Sequence, residues 1–144
     1  MQVVATVGNG ENILLLLEKH KPAILLLDLG LRNQNSLQIV KLSKQHNPDV
    51  KIIVMDHIPL QADVLEFVEA GVSGFILKDA NEKDLYDTIR SVYQGFKVLP
   101  THLMGSLFTQ IVEHAINGSP ASVIIESVRM TKREKQVIEL IAEG

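Results

Sequence analysis

The feature that most constrains this chain is a run of apolar residues that ends on a carboxylate. The segment AILLLD, residues 23–28, has no polar side chain before Asp28. A continuous apolar run of this length is typical of a strand that is covered on both faces, as in a parallel sheet flanked by helices. The sequence therefore predicts a buried strand whose last residue brings an acid to the edge of the sheet.

Three further segments have a strand-like composition, and segments of helical periodicity lie between them. The strand-like segments are QVVATV (2–7), VKIIVM (50–55) and SGFILK (73–78). The apolar residues that share a helical face are Ile13, Leu14 and Leu17, then Val64, Leu65 and Val68, then Leu85, Ile89 and Val92. This alternation of strands and helices with short links predicts an α/β fold with a doubly wound parallel sheet.

The composition of the 144-residue chain excludes several classes of protein. Hydrophobic residues make up 46% and charged residues 22%, which is typical of a globular domain. The net charge of −3 does not provide the basic surface that non-specific nucleic-acid binding needs. Without cysteine, disulfides and thiolate metal sites are excluded. The apolar runs are too short to span a bilayer, so we expect a cytoplasmic protein without membrane association.

After Gly95 the alternation ends, and a different pattern begins. The segment KVLP is predicted to be short and extended, and a helix is predicted over residues 101–116. This helix has apolar residues in adjacent pairs: Leu103/Met104, Leu107/Phe108, Ile111/Val112 and Ala115/Ile116. The favoured interpretation is a closing helix that packs on the sheet. Because the apolar stripe is wide, a helix that also contacts a partner chain is the alternative.

The last part of the chain has the composition of a linker followed by a new helix. Residues 117–130 begin with the sequence NGSPAS, which is typical of a linker. Residues 131–144 then start with a capping box, Thr131 and Glu134, ahead of three apolar residues on one face, Val137, Ile138 and Ile141. Because one amphipathic helix cannot bury its own face, we expect it to open a second, incomplete domain.

Ionisable residues lie at the carboxyl ends of three predicted strands. They are Asp28, Asp56 and Lys78. Ligands of open parallel sheets bind at this edge. A carboxylate there can be a nucleophile toward phosphate, a metal ligand or a cap on the following turn, and a lysine can hold a phosphoryl oxygen. Taken singly, each is commonly a solvated strand end, but three on one edge favour a functional site.

The segments PAILLLDLGL, PDVKIIVM, EAGVSGFILKDA and DLYDTIRSVYQG resemble the receiver domain of bacterial two-component response regulators of the NarL/FixJ branch. The segment MTKREKQVIELIAEG is similar to the first helix of that branch's LuxR-type helix-turn-helix domain. The resemblance implies a CheY/flavodoxin-like sheet in a receiver-like domain at 1–116, a linker at 117–130 and the first DNA-binding helix at 131–144. It also implies truncation at both ends, with the family's first strand and helix missing.

The resemblance implies a role for each site residue. Asp28 matches the phospho-acceptor, Lys78 matches the lysine that contacts the acyl phosphate, and Phe75 matches the aromatic switch. In this family Mg²⁺ assists phosphoryl transfer from a histidine kinase, and phosphorylation controls dimerisation and DNA binding. The chain is then a regulator rather than an enzyme, a homodimer, and a DNA-binding protein only through a complete helix-turn-helix domain.

Three departures from the family pattern keep other interpretations open. The acidic pair that binds Mg²⁺ has no counterpart, so Asp28 alone is an incomplete metal site. Asp56 stands where the family has Ser or Thr, and its charge would repel phosphoryl oxygens unless a metal lay between them. Leu31 and Arg32 replace the family's Met-Pro.

The runner-up function is a degenerate receiver that acts as a dimerisation module without phosphorylation. An enzyme acting on a small phosphorylated substrate is a distant third, because only a nucleophile is clearly present. The missing strand has a structural consequence in either case. Unpaired sheet edges expose main-chain and apolar groups, so we expect the chain to rearrange, to pair with another copy or to swap elements.

Overall fold

The computed structural model describes residues 1–8, 12–30, 35–56 and 61–116. The predicted linker at 117–130 and the predicted helix at 131–144 lie outside these residues. The described elements, in chain order, are α1 (Ile13–His20), β1 (Ile24–Asp28), α2 (Ser36–His46), β2 (Lys51–Asp56), α3 (Gln61–Glu69), β3 (Gly74–Leu77), α4 (Glu82–Tyr93) and α5 (Thr101–Ile116). Strands and helices alternate through α4, as the sequence predicts.

The strands form a parallel sheet in the order β1-β2-β3. Leu26 is in register with Ile53, which is in register with Gly74. The predicted extended segment after α4 continues the pairing at the outer side of β3, where Val98 forms a parallel bridge with Gly74. The parallel sheet confirms the predicted α/β class.

Side chains alternate between the two faces of the sheet and form two cores. The larger core contains Leu27, Ile52 and Val54 together with side chains of α1, α2, α3 and α5. The smaller core contains Ile53 and Ile76, which pack against Val92 of α4. The near-continuous apolar composition of the strands follows from this arrangement, because both faces of the central strand are buried.

Helix α5 buries one residue of each apolar pair. Leu103, Leu107, Ile111 and Ala115 are buried in the larger core, where α5 contacts α3. The second residues of the pairs are less buried, and Met104 and Ile116 are 38% and 66% exposed. This confirms the closing helix, whereas contact with a partner chain stays a prediction. No helix in the described ranges is both long and apolar enough to cross a membrane.

The prediction of a strand at residues 2–7 is wrong. These residues are described, but they belong to no strand, and Val3, Val4 and Val7 are 70%, 46% and 41% exposed. The physical reason is that β-branched residues favour an extended chain but do not supply the hydrogen-bonding neighbour that a strand requires. Within the described residues, the sheet contains only β1, β2 and β3.

Two lysines bind main-chain carbonyl groups just before β2 and β3. The ammonium group of Lys44 donates to the carbonyl oxygens of Pro48 and Val50, at 3.0 and 2.6 Å. The ammonium group of Lys97 donates to the carbonyl oxygen of Val72 at 2.9 Å. Burial lowers the pKa of both lysines, and the charge of Lys44 further lowers the pKa of Lys97.

These lowered pKa values predict that stability increases with pH in the alkaline range. Between the lowered pKa of Lys97 in the folded chain and the ordinary value of 10.5, the unfolded chain binds more protons, so the free energy of unfolding rises with pH. Lys97→Met should flatten this rise in urea denaturation measured at several alkaline pH values. Lys83→Met, a change at an exposed position of α4, is the control and should leave the slope unchanged. An unchanged slope in Lys97→Met would contradict the assignment.

Candidate functional site

The candidate site lies at the carboxyl edge of the sheet. Asp28 is the last residue of β1, Asp56 is the last residue of β2, and Lys78 directly follows β3. The strand ends are held together by main-chain hydrogen bonds, in which Leu29 donates to Met55 and Lys78 donates to Asp56, both at 2.9 Å. The three ionisable residues therefore share one edge, as the sequence predicts for parallel strands.

Asp28 and Lys78 form an ion pair across the end of the central strand. The Nζ atom of Lys78 lies 2.6 Å from Oδ1 of Asp28, and the side chains are 21% and 41% exposed, respectively. Because β2 lies between β1 and β3, the two strands are about 9.5 Å apart, two interstrand spacings. The long side chain of lysine spans this separation, so the pair connects the two outer strands at the site.

Gly30 completes the surroundings of the Asp28 carboxylate. Its main-chain N–H donates to Oδ1 of Asp28 at 2.7 Å, so this oxygen accepts from both Gly30 and Lys78. A Cβ atom at Gly30 would lie 3.1 Å from Oδ1 of Asp28 and 3.1 Å from Nζ of Lys78. Glycine therefore lets the loop approach the pair closely. The sequence reasoning missed Gly30, although a glycine two residues after a strand-ending acid is a usable signal.

Asp56 shares the edge, but its backbone register differs from that of Asp28. Asp28 is in register with Met55, the residue before Asp56. Because side chains alternate along a strand, Asp56 takes the orientation opposite to that of Met55. Asp56 is half-buried, and its main-chain carbonyl accepts the N–H of Lys78. Its shared edge with the ion pair is as predicted, whereas a role in phosphate chemistry stays a prediction.

Phe75 connects the site strand to the larger core. It lies on β3, three residues before Lys78, and is only 4% exposed. Its ring makes an edge-to-face contact with Phe67 of α3, with a centroid distance of 6.4 Å and an interplanar angle of 84°. Its main-chain N–H donates to the carbonyl of Val98. A displacement of β3 at the site would therefore change the contact between Phe75 and Phe67 of α3.

The described residues do not provide a complete magnesium site. Within them, no group of three or more His, Asp or Glu side chains is placed to hold a metal ion. Mg²⁺ prefers near-octahedral oxygen coordination, usually from one or two carboxylates with waters and substrate phosphates. One oxygen of Asp28 already accepts from an ammonium and an amide group. The donor set around Asp28 therefore fits Mg²⁺ poorly, and we assign no chemical step to a metal.

Together, the parallel sheet and the acid–lysine pair at its carboxyl edge define an α/β domain of the receiver class. Residues 1–90, more than half of the chain, match the family of the response regulator receiver domain, and the chain belongs to this family.

Known relatives agree with this assignment. The chain is 28% identical over its whole length to the oxygen regulatory protein NreC of Staphylococcus epidermidis, and it spans 66% of that protein. A LuxR-family two-component response regulator from Aurantimonas has a similar fold, with a TM-score of 0.69, 21% identity, and coverage of 76% of this chain and 79% of that one. A Burkholderia pseudomallei response regulator, solved with a phosphorylated aspartic acid, a calcium ion and citrate, gives a TM-score of 0.57 at 18% identity, over 93% of this chain and 82% of that one.

The close approach of Gly30 to the ion pair predicts opposite effects for two identical substitutions. Gly30→Ala should lower the free energy of unfolding, because its Cβ would crowd both charged groups. Gly105→Ala is the matched control on α5, where a Cβ would meet nothing within 4 Å. It should raise the free energy of unfolding by about 0.5–1 kcal/mol through helix propensity. Urea denaturation measures both values, and stabilisation by Gly30→Ala would contradict the described packing.

Proposed function

We propose that this chain is the receiver part of a two-component response regulator that controls transcription, and that Asp28 is its phospho-acceptor. The observation that carries the proposal is the 2.6 Å contact between Asp28 and Lys78 at the carboxyl edge of the sheet. Family membership supports the same function. The cognate donor is a histidine kinase, and a cytoplasmic location is part of this proposal.

The proposed reaction is phosphoryl transfer to the Asp28 carboxylate. A carboxylate oxygen attacks the phosphorus of a phosphohistidine; the P–N bond breaks as a P–O bond forms, and the product is an acyl phosphate. The side chain of Asp28 is 41% exposed, which lets a donor approach. The ammonium group of Lys78 and the N–H of Gly30 already lie beside this carboxylate, so they are close enough to stabilise the charge of the transferring group.

Phosphorylation would change the ion pair and thereby the position of β3. A phosphoryl group carries a charge of about −1.5 to −2, whereas the carboxylate carries one unit. Lys78 would move to the phosphoryl oxygens, and the displacement would pass along β3 to Phe75 and its contact with Phe67. In the proposal this two-state change controls homodimerisation and, through a complete LuxR-type domain, DNA binding. The phosphorylated aspartic acid of the Burkholderia regulator supports such chemistry on this fold.

Magnesium has a restricted place in this proposal. Receiver domains use Mg²⁺ for phosphorylation, but the described oxygen ligands around Asp28 are too few to define its site. The reaction mixture of the experiment below therefore contains the ion throughout, and Lys78 and Gly30 are the groups to which we assign charge stabilisation.

A receiver that works without phosphorylation is the second candidate. The observation that favours it is Asp56, which places a second carboxylate at the edge where the family has Ser or Thr. Repulsion between its charge and phosphoryl oxygens would oppose modification of Asp28. In this case the domain acts as a constitutive dimerisation module.

Intact mass spectrometry after incubation with acetyl phosphate separates the two candidates. With Mg²⁺ present, the chain should gain the mass of one phosphoryl group, and Asp28→Asn should abolish the gain. Asp49→Asn, an exposed acid before β2, is the control and should keep it. Lys78→Met should slow the gain by about tenfold or more, since a charged group directed at the reacting atoms is lost. A gain that persists in Asp28→Asn would overturn the phospho-acceptor assignment, and no gain in the unmodified chain would favour the second candidate.

The proposed switch predicts that Phe75 transmits the signal without affecting the reaction. Phe75→Leu keeps an apolar side chain but loses the edge-to-face contact with Phe67. We expect it to gain the phosphoryl mass normally and to lose the phosphorylation-dependent change in association, measured by light scattering. Tyr86→Leu, at an exposed aromatic residue of α4, is the control and should keep both properties. An unaltered response in Phe75→Leu would exclude Phe75 as the switch.

A further inference from the structure

The outer edge of β1 offers hydrogen-bonding groups to another strand. Lys51 donates to the carbonyl of Ala23, and Leu29 donates to the carbonyl of Met55, so odd-numbered residues of this segment pair with β2. Main-chain groups alternate along a strand, and those of Ile24 and Leu26 therefore point away from β2. Within the described residues, β1 is an edge of the sheet.

This edge lacks the devices that natural sheets use against association. Exposed edges are commonly protected by a lysine, a proline or a bulge. Residues 23–27 are Ala, Ile and three Leu, without a charge or a proline. The middle residue, Leu26, is 41% exposed, although it is part of the sheet.

The segment at residues 2–7 has the complementary properties. It is uncharged and rich in β-branched residues, as expected of a strand, but it belongs to no strand. Its residues Val3 and Val4 are 70% and 46% exposed. Within the part of the chain that the structure describes, there is thus both an edge without these protective features and a strand-forming segment that is not part of the sheet.

We propose that two copies of this chain associate by exchange, with residues 2–7 of each copy pairing with the outer edge of β1 of the other. Each copy offers one donor segment and one acceptor edge, so the exchange closes as a symmetric dimer with two identical contacts. Main-chain hydrogen bonds to Ile24 and Leu26 provide the pairing, and neither side carries a charge that would oppose it. Pairing of β1 with β1 of the second copy would leave the valines of residues 2–7 exposed, whereas the exchange covers both features. This contact uses the outer edge of β1 and not the Asp28–Lys78 pair, so it forms without phosphorylation. The phosphorylation-dependent change of the proposed function is then a further change in the association of this dimer.

Cross-linking between copies tests the contact directly, because the chain has no cysteine of its own. A Val4→Cys chain is mixed with a Leu26→Cys chain under mild oxidation, so that a disulfide heterodimer can form only between copies. This heterodimer should form about tenfold faster than in the control mixture, in which Leu15→Cys replaces Leu26→Cys, because paired strands raise the local thiol concentration. Leu15 lies on α1 and is 64% exposed. Equal rates for the two mixtures would overturn the proposal.

Proline variants identify the occupant of the edge. The N–H of Leu26 points away from β2, so Leu26→Pro removes a donor from the outer edge without breaking the β1–β2 ladder. Val4→Pro acts on the donor segment and does not touch the described core. Light scattering over the micromolar range should show a dimer for the unmodified chain and monomers for both variants, with circular dichroism reporting the fold. A monomeric unmodified chain would overturn the exchange, and so would a dimer that persists in Val4→Pro. The Val4→Pro measurement decides this even if Leu26→Pro does not fold.

Discussion

The ion pair between Asp28 and Lys78 depends on one constraint, the parallel order of the three strands. Parallel strands end on the same edge, and β2 holds β1 and β3 at a separation that a lysine side chain can bridge. An antiparallel neighbour would have moved one of the two residues to the opposite edge. The main-chain bond from Lys78 to Asp56 fixes the start of the loop after β3, so the position of the ammonium group follows from the sheet.

The fold could be predicted from the sequence where local composition decides the structure. The buried central strand β2 has an apolar sequence because both of its faces are covered. Helix α4 is recognisable because Leu85, Ile89 and Val92 recur at helical spacing on one face. Residues 2–7 have an equally strand-like composition, yet they form no strand. Strand pairing is a non-local property, and the composition of a segment does not show whether a neighbouring strand is available.

The site shows the same division between what is local and what is tertiary. Asp28 and Lys78 could be brought together from sequence, since both follow apolar runs that end on one edge. Gly30 could not, because the value of a missing Cβ becomes evident only in the folded loop, where a Cβ at this position would lie 3.1 Å from both charged groups. For Asp56 the edge was predictable but the orientation was not, since a shift of one residue in register reverses the face of a side chain.

The proposed site depends on a direct energetic coupling between Asp28 and Lys78, and a double-mutant cycle measures it. The free energies of unfolding of the unmodified chain, Asp28→Asn, Lys78→Met and the double variant give the interaction energy of the two side chains. For a pair this exposed, we expect a favourable coupling of about 0.5–1 kcal/mol. Strictly additive effects of the two substitutions would show that the charges do not interact, and the phospho-acceptor site would lose its physical basis.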